Sequence, residues 1–273
     1  MTDVLDTLAL FWPAFVASLV VALACALVGV HVVARRLIVV GVALPQVAAL
    51  GIAASFLCEG WFLLGDHDVA ALVCEGAAVA VLAFGARRTK LGQDALAGVL
   101  FVGAAAGTIL LMQRSAAGLD EVRNLVEGNV LAIHDTDLPA VLGTIGAVVI
   151  VHLVALRRVL LVTFDRETAA TLGIRTGVWD AVFYAGLAVV AATGVHATGT
   201  LFVFGFLVLP AAAAIVLGRS TAGVFGIATG VALGSAAVGF LLSCHWDTPT
   251  GPTCAVTALA AFLVALGIGA VRR

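Results

Sequence analysis

Nine long apolar runs separated by brief polar breaks organise the chain: 8–33, 38–58, 69–86, 95–112, 138–156, 178–195, 198–217, 222–243 and 254–270. Each is close to the roughly 20 residues a helix needs to cross a bilayer core, and 8–33, 38–58 and 222–243 are apolar on all faces, whereas barrel strands would show alternating segments of about ten residues. The pattern predicts an all-α polytopic membrane protein with about nine transmembrane helices, forming a single domain over 1–273. The break at 196–199 is the least polar, so 178–217 reads either as two spans or as one helix broken within the membrane.

Composition strengthens this reading. Of 273 residues, 63% are hydrophobic and 11% charged, and the mean hydropathy is +1.19; so much apolar surface requires lipid as solvent. Thirty glycines, with abundant Ala, Ser and Thr, supply the small-residue faces by which membrane helices approach one another. The net charge of −2 comes with no basic stripe, which leaves no footprint for nucleic acid.

Charge position sets the expected orientation, because cytoplasmic loops collect Lys and Arg. Alternate loops hold Arg35 and Arg36; Arg87, Arg88 and Lys90; Arg157, Arg158, Arg166 and Arg175; Arg219; then Arg272 and Arg273, twelve of the fourteen basic residues. The other loops keep only Arg114 and Arg123. An N-terminus outside and a C-terminus in the cytosol follow. The first run carries Asp3 and Asp6 where a signal peptide would be basic, and lacks a small-residue cleavage site, so it reads as a retained helix. Thirteen arginines against the single Lys90 suggest a high-GC bacterial genome, and hence a multi-pass protein of the bacterial cytoplasmic (inner) membrane.

Two polar segments exceed what a connection needs. Segment 113–137 mixes apolar and acidic residues and can lie as a short interfacial helix. Segment 157–177 reads RRVLLVTFDRETAATLGIRTG; there Asp165 can cap a short cytoplasmic helix, with Glu167 in its first turn and Gly173 ending it. No P-loop, His-Glu-x-x-His or Gly-x-Ser-x-Gly motif is present. The chain is expected to be no enzyme, to bind no cofactor of its own and to lack an ATPase site.

FDRETAATLGI (164–174), followed by ATGTLFVFGFLVLPAAAA (197–214), with VGVHVVARRLIVVGVAL (28–44), QDALAGVLF (93–101) and LVEGNVLAI (125–133) in the same order, resembles the permease subunits of the metal-type (zinc and manganese) ABC importers. The resemblance spans about 10–270. It implies a homodimer of this chain, two cytosolic ATPase subunits that use the ATP, an extracytoplasmic substrate-binding protein and a transported divalent metal. It also implies that the 164–174 helix sits in a cleft of the ATPase, so that Phe164, Asp165, Arg166, Glu167, Leu172 and Gly173 couple hydrolysis to transport.

Family members commonly carry Gly-Asp-x-x-Ser-His in the second helix, with Asp and His facing the translocation path. Aligned through Arg35-Arg36-Leu37, this chain has Gly41-Val42-Ala43-Leu44-Pro45-Gln46. Valine and an amide cannot replace a carboxylate and an imidazole as ligands for zinc or manganese. Either the path handles metal without that pair, or the cargo differs. The candidate path residues are Val42, Pro45, which frees a carbonyl and kinks its helix, Gln46, and Pro210, a kink matched in the family.

His196, His67 and His245 are candidate metal ligands near the outer breaks; a hydrogen-bonded role is the alternative for His196, and His31 and His152 read as packing residues. Cys58 with Cys74 and Cys244 with Cys254 flank two outer loops. They read as hairpin disulfides on the oxidising face, as part of a metal-collecting vestibule with Asp66, His67, Asp68 and Asp247, or as reduced helix-end thiols. Cys25 is a small apolar filler. Two other function classes remain open: a secondary transporter of a small solute, which the expected lack of ionisable residues inside the spans disfavours, and a membrane partner that has lost transport.

Overall fold

The computed structural model describes residues 11–56, 67–85, 91–113 and 138–271, and every regular element among them is helical. In chain order these are α1 (Trp12–Ala34), α2 (Ile38–Ser55), α3 (His67–Ala80, continued by a π-turn over Val81–Gly85), α4 (Gln93–Met112), α5 (Leu138–Phe164), α6 (Arg166–Thr171), α7 (Thr176–Thr198), α8 (Thr200–Leu217), α9 (Thr221–Trp246) and α10 (Thr250–Val271). Among the described residues, eight helices are long and apolar enough to cross a membrane. The span expected at 69–86 is α3, a 14-residue helix extended by the five-residue π-turn. The expected interfacial helix within 113–137 lies almost wholly outside the described residues.

At 196–199 the chain makes a corner of one residue. Gly199 takes φ 84° and ψ 163°, a region open in practice only to glycine. A Cβ on Gly194 would lie 2.7 Å from Val203 Cγ2 and 3.3 Å from Val21 Cγ1, so α7 and α8 fold back beside each other against α1. Two spans are therefore present, and no single broken helix.

Helix α1 is the hub, packing against α5, α7, α8 and α9. Small residues let it serve that role: a Cβ on Gly29 would run into the carbonyl oxygen of Leu207, with the carbonyl carbon at 2.9 Å, so the α1 and α8 backbones touch there. Helices α2, α3 and α4 pack on one another, and at Gly51 an added Cβ would sit 2.6 Å from the carbonyl oxygen of Ala70. Helix α7 joins the two groups by contacting α1, α2, α3, α5 and α8. Close backbone approach, rather than interdigitated large side chains, sets this architecture.

Two expectations need correction. Helix α5 runs on to Phe164, past the expected end at 156, because residues 157–164 contain no Gly or Pro, bury Val159 and Val162, and set the Arg158 guanidinium 5.0 Å above the Trp179 ring. The first part of segment 157–177 is thus a helical extension of the span. Nor are the span interiors free of ionisable groups: Glu75 lies within α3, fully buried. Its carboxyl approaches the backbone of Ala192 on α7 without completing a hydrogen bond.

Candidate functional site

Helix α6 has six residues, too few to be stable alone, and its sequence closes both ends. At the start, Asp165 leaves helical geometry (φ −144°) and its carboxylate accepts from the Thr168 amide at 2.9 Å and from the Thr168 hydroxyl at 2.5 Å. Those bonds hold the Asp165 carboxyl below its ordinary pKa. At the end, Gly173 takes φ 75°, its amide donates to Ala170 and the Ile174 amide reaches back to Ala169, each at 3.0 Å. That pair of bonds is a Schellman closure. The expected cap residues occupy the expected positions, and the helix between them is Arg166–Thr171. Phe164 and Leu172 flank it at 68% and 66% exposure, two large apolar side chains held out in solvent.

Charge ties this handle to the bundle. Arg166 Nη1 lies 3.0 Å from Asp180 Oδ2 on α7, and Asp180 Oδ1 accepts from Arg35 Nη1 at 2.8 Å. The Arg35 and Asp180 side chains are only 10% and 18% exposed, against 59% for Arg166. Arg35 also donates through Nε to the Thr163 hydroxyl at 2.9 Å and lies 4.5 Å above the Phe183 ring. Thr163 gives its only proton to the Val159 carbonyl at 2.6 Å, so it accepts from Arg35 and, more distantly at 3.4 Å, from His31 Nδ1. His31 is buried against the His152 ring, the centroids 4.9 Å apart. Both histidines pack in the core, as expected.

Arg35 caps the C-terminus of α1, where a cation suits the helix dipole. Arg36 follows in the left-handed region with φ 60°, and the Leu37 amide returns to Val32 at 2.9 Å, turning the chain sharply into α2. On α2, Val42 and Gln46 stay half-buried one turn apart on one face, with Leu50 one turn further on, while Gly41, Ala43, Leu44, Pro45 and Val47 are buried. Gln46 is the polar member of that stripe. Pro45 cannot donate to the Gly41 carbonyl, which loosens the helix beneath Gln46. Pro210 is buried within α8, where it lacks the amide proton of an ordinary helix residue.

A profile of the ABC 3 transport family matches residues 7–269. The chain belongs to that family. Among its relatives, the manganese import system permease protein ScaB of Streptococcus gordonii is 22% identical over 260 residues, 95% of this chain and 91% of that one. The chelated iron transport system membrane protein YfeD of Yersinia pestis is 26% identical over 253 residues, 93% and 83% of the two chains. Among solved structures, PsaBC from Streptococcus pneumoniae, in complex with Fab, superposes with a TM-score of 0.86 at 20% identity, covering 97% of this chain and 94% of that one; the fold is shared.

At the far end of this ABC 3 chain from α6, the structure brings two of the three candidate histidines together. The His67 and His196 rings lie 6.1 Å apart. His67 Nδ1 pairs with Ser55 Oγ at 2.5 Å, and His196 Nδ1 with Asp68 Oδ1 at 2.6 Å. His245 is exposed in the last turn of α9. Among the described residues no group of three or more His, Cys, Asp or Glu side chains is arranged to hold a metal ion.

The described cysteines bear on one of the two expected disulfides, Cys244–Cys254, which does not form in this structure. Cys74, Cys244 and Cys254 are free thiols, and Cys58 lies outside the described residues. Cys254 turns inward to the α9 backbone, its Sγ 3.7 Å from the Ala236 carbonyl, because the first turn of α10 packs that face on α9. Its thiol is taken up by that helix contact.

The sequence reading did not single out Asp180 or Glu75. An acid in the first turns of an apolar span was the available signal for Asp180 (TGVWDAVF); nothing local names its partners, which lie 145 and 14 positions away.

Proposed function

We propose that this chain is the membrane-spanning permease subunit of an ABC importer, moving a divalent metal ion, and that it works as a homodimer with two cytosolic ATPase subunits and an extracytoplasmic substrate-binding protein. One observation carries the coupling part of this reading: a six-residue helix, closed at both ends, flanked by exposed Phe164 and Leu172 and pinned to the bundle by charge. Such an element suits a cleft on a second subunit and moves as a rigid body. With the basic loops inward, α6 lies in the cytosol and His67, Asp68 and His196 lie on the outer side. The metal cargo rests on the relatives named for manganese and chelated iron transport. Val42 and Gln46 give α2 no strong ligand for such an ion.

Copurification tests the reading. The tagged chain, expressed with its genomic neighbours and purified in mild detergent, is expected to bring down a nucleotide-binding subunit. Bulky replacement of both Glu167 and Gly173 is expected to abolish that association; an intact complex with full ATPase stimulation would refute α6 as the docking element. Buried Glu75 favours the gradient-driven alternative, because ionisable groups at membrane depth mark ion-coupled carriers. Uptake into proteoliposomes that persists without ATP would decide for it.

A further inference from the structure

We infer that Asp180 is the positioning residue that links the α6 handle to the α1–α2 corner, so that a displacement of α6 reaches the Val42–Gln46 face through the Arg166–Asp180–Arg35 bridge. The inference rests on the coupling role proposed for α6. The covalent routes from α6 lead into α5 and, through 172–175, into α7; neither enters α1 or α2 directly. The bridge does. Asp180 holds Arg166 of α6 through one carboxylate oxygen and Arg35 of α1 through the other.

Each end of the bridge is shaped for its task. Arg35 is stiff: its guanidinium is fixed by Asp180 at 2.8 Å, by Thr163 at 2.9 Å and by the Phe183 ring at 4.5 Å. It follows the last residue of the hub helix and precedes left-handed Arg36. The corner beyond is closed by the Leu37 amide on Val32, so the start of α2 follows the end of α1. Arg166 is mostly exposed and can follow α6 without repacking a core. An acid between a mobile cation and a buried one transmits position, because the buried member cannot go without its partner.

The test uses the whole transporter, permease with its ATPase subunits, in proteoliposomes with the binding protein and radiolabelled manganese as probe. Asp180→Asn is expected to keep the ATPase subunit bound and to lower uptake per ATP hydrolysed about tenfold, a typical size for coupling between sites. Asp180→Glu is expected to restore most of it. Arg166→Glu changes an exposed side chain, so it assays the bridge even if Asp180→Asn fails to assemble, and is expected to uncouple likewise. Adding Arg166→Ala to Asp180→Asn is expected to cost nothing further, since the link is already open. Uptake per ATP within twofold of wild type for both Asp180→Asn and Arg166→Glu, or additive losses in the double variant, would overturn the inference. A wild-type chain that binds no ATPase subunit would instead sink the coupling role of α6, which distinguishes the two failures.

Discussion

Gly29→Ala isolates the backbone contact at the centre of the bundle. Two opposing terms can be worked out. Alanine in a helix is favoured over glycine by up to about 1 kcal/mol, and a methyl group with free space around it would simply collect that gain. At Gly29 the new Cβ would collide with the Leu207 carbonyl, whose carbon lies at 2.9 Å, with Leu207 Cα at 3.1 Å. These are backbone atoms, so no rotamer can clear the space. Helices α1 and α8 would have to separate by about 1 Å, forfeiting up to half of the dispersion energy along the contact. Overpacking of this kind costs about 1–3 kcal/mol, and an unyielding neighbour puts it near the upper end. The net expectation is destabilisation by about 1–2 kcal/mol. Fluorescence-detected size-exclusion chromatography after a heating series measures it, with Gly230→Ala as control, because nothing lies within 4 Å of a Cβ there. Gly29→Ala should melt several degrees below wild type and Gly230→Ala at or above it. Equal midpoints for the two variants would refute backbone packing as the basis of the α1–α8 contact.

At the handle, Asp165→Ala should remove protection of the Thr168 amide in hydrogen exchange, whereas Asp165→Asn should largely keep it. The folded carboxyl sits below its ordinary value of 3.8 because Thr168 donates to it. Its contribution is therefore complete above that value and is lost as pH falls through the lowered one, so a cap that weakens between pH 8 and 6 would contradict the assignment. Glu75→Gln removes a buried acid with neither oxygen bonded and is expected to leave thermal stability unchanged or raise it; a large loss would reveal a partner formed in another conformation. Maleimide should label Cys244 slowly and leave Cys25 and Cys254 untouched in the folded protein, in keeping with their burial, and a reductant-sensitive link between Cys244 and Cys254 would overturn the free-thiol assignment.

What could be read from the chain beforehand was whatever is local. The spans follow from run length, and the α6 caps from Asp165 and Gly173, because capping depends on residues three or four positions apart. Arginines look like a loop boundary, but Arg158 snorkels along α5 onto Trp179, so the helix outruns its expected end. Glu75 stays hidden because one acid in LVCEGAAVAVLAF disappears into a hydropathy average. The Cys244–Cys254 pairing was not legible because loop spacing does not report which face of a helix a thiol occupies. The Arg35–Asp180 contact was beyond reach, since it joins positions 145 residues apart and depends wholly on how the spans assemble.

The place of α1 at the hub bears on how the protein is made. It is the first described helix to leave the ribosome and the most thoroughly buried of the candidate spans, yet it scarcely touches α2. Its neighbours α5, α7, α8 and α9 begin only at Leu138 and end at Trp246. The helix is apolar enough to wait in lipid, but its small-residue face stays unmatched until most of the chain has been synthesised. Nascent chains arrested before residue 200 should therefore expose the native Cys25, one turn before Gly29 and fully buried in the finished chain, to a lipid-soluble thiol reagent, and chains extended past 246 should shield it.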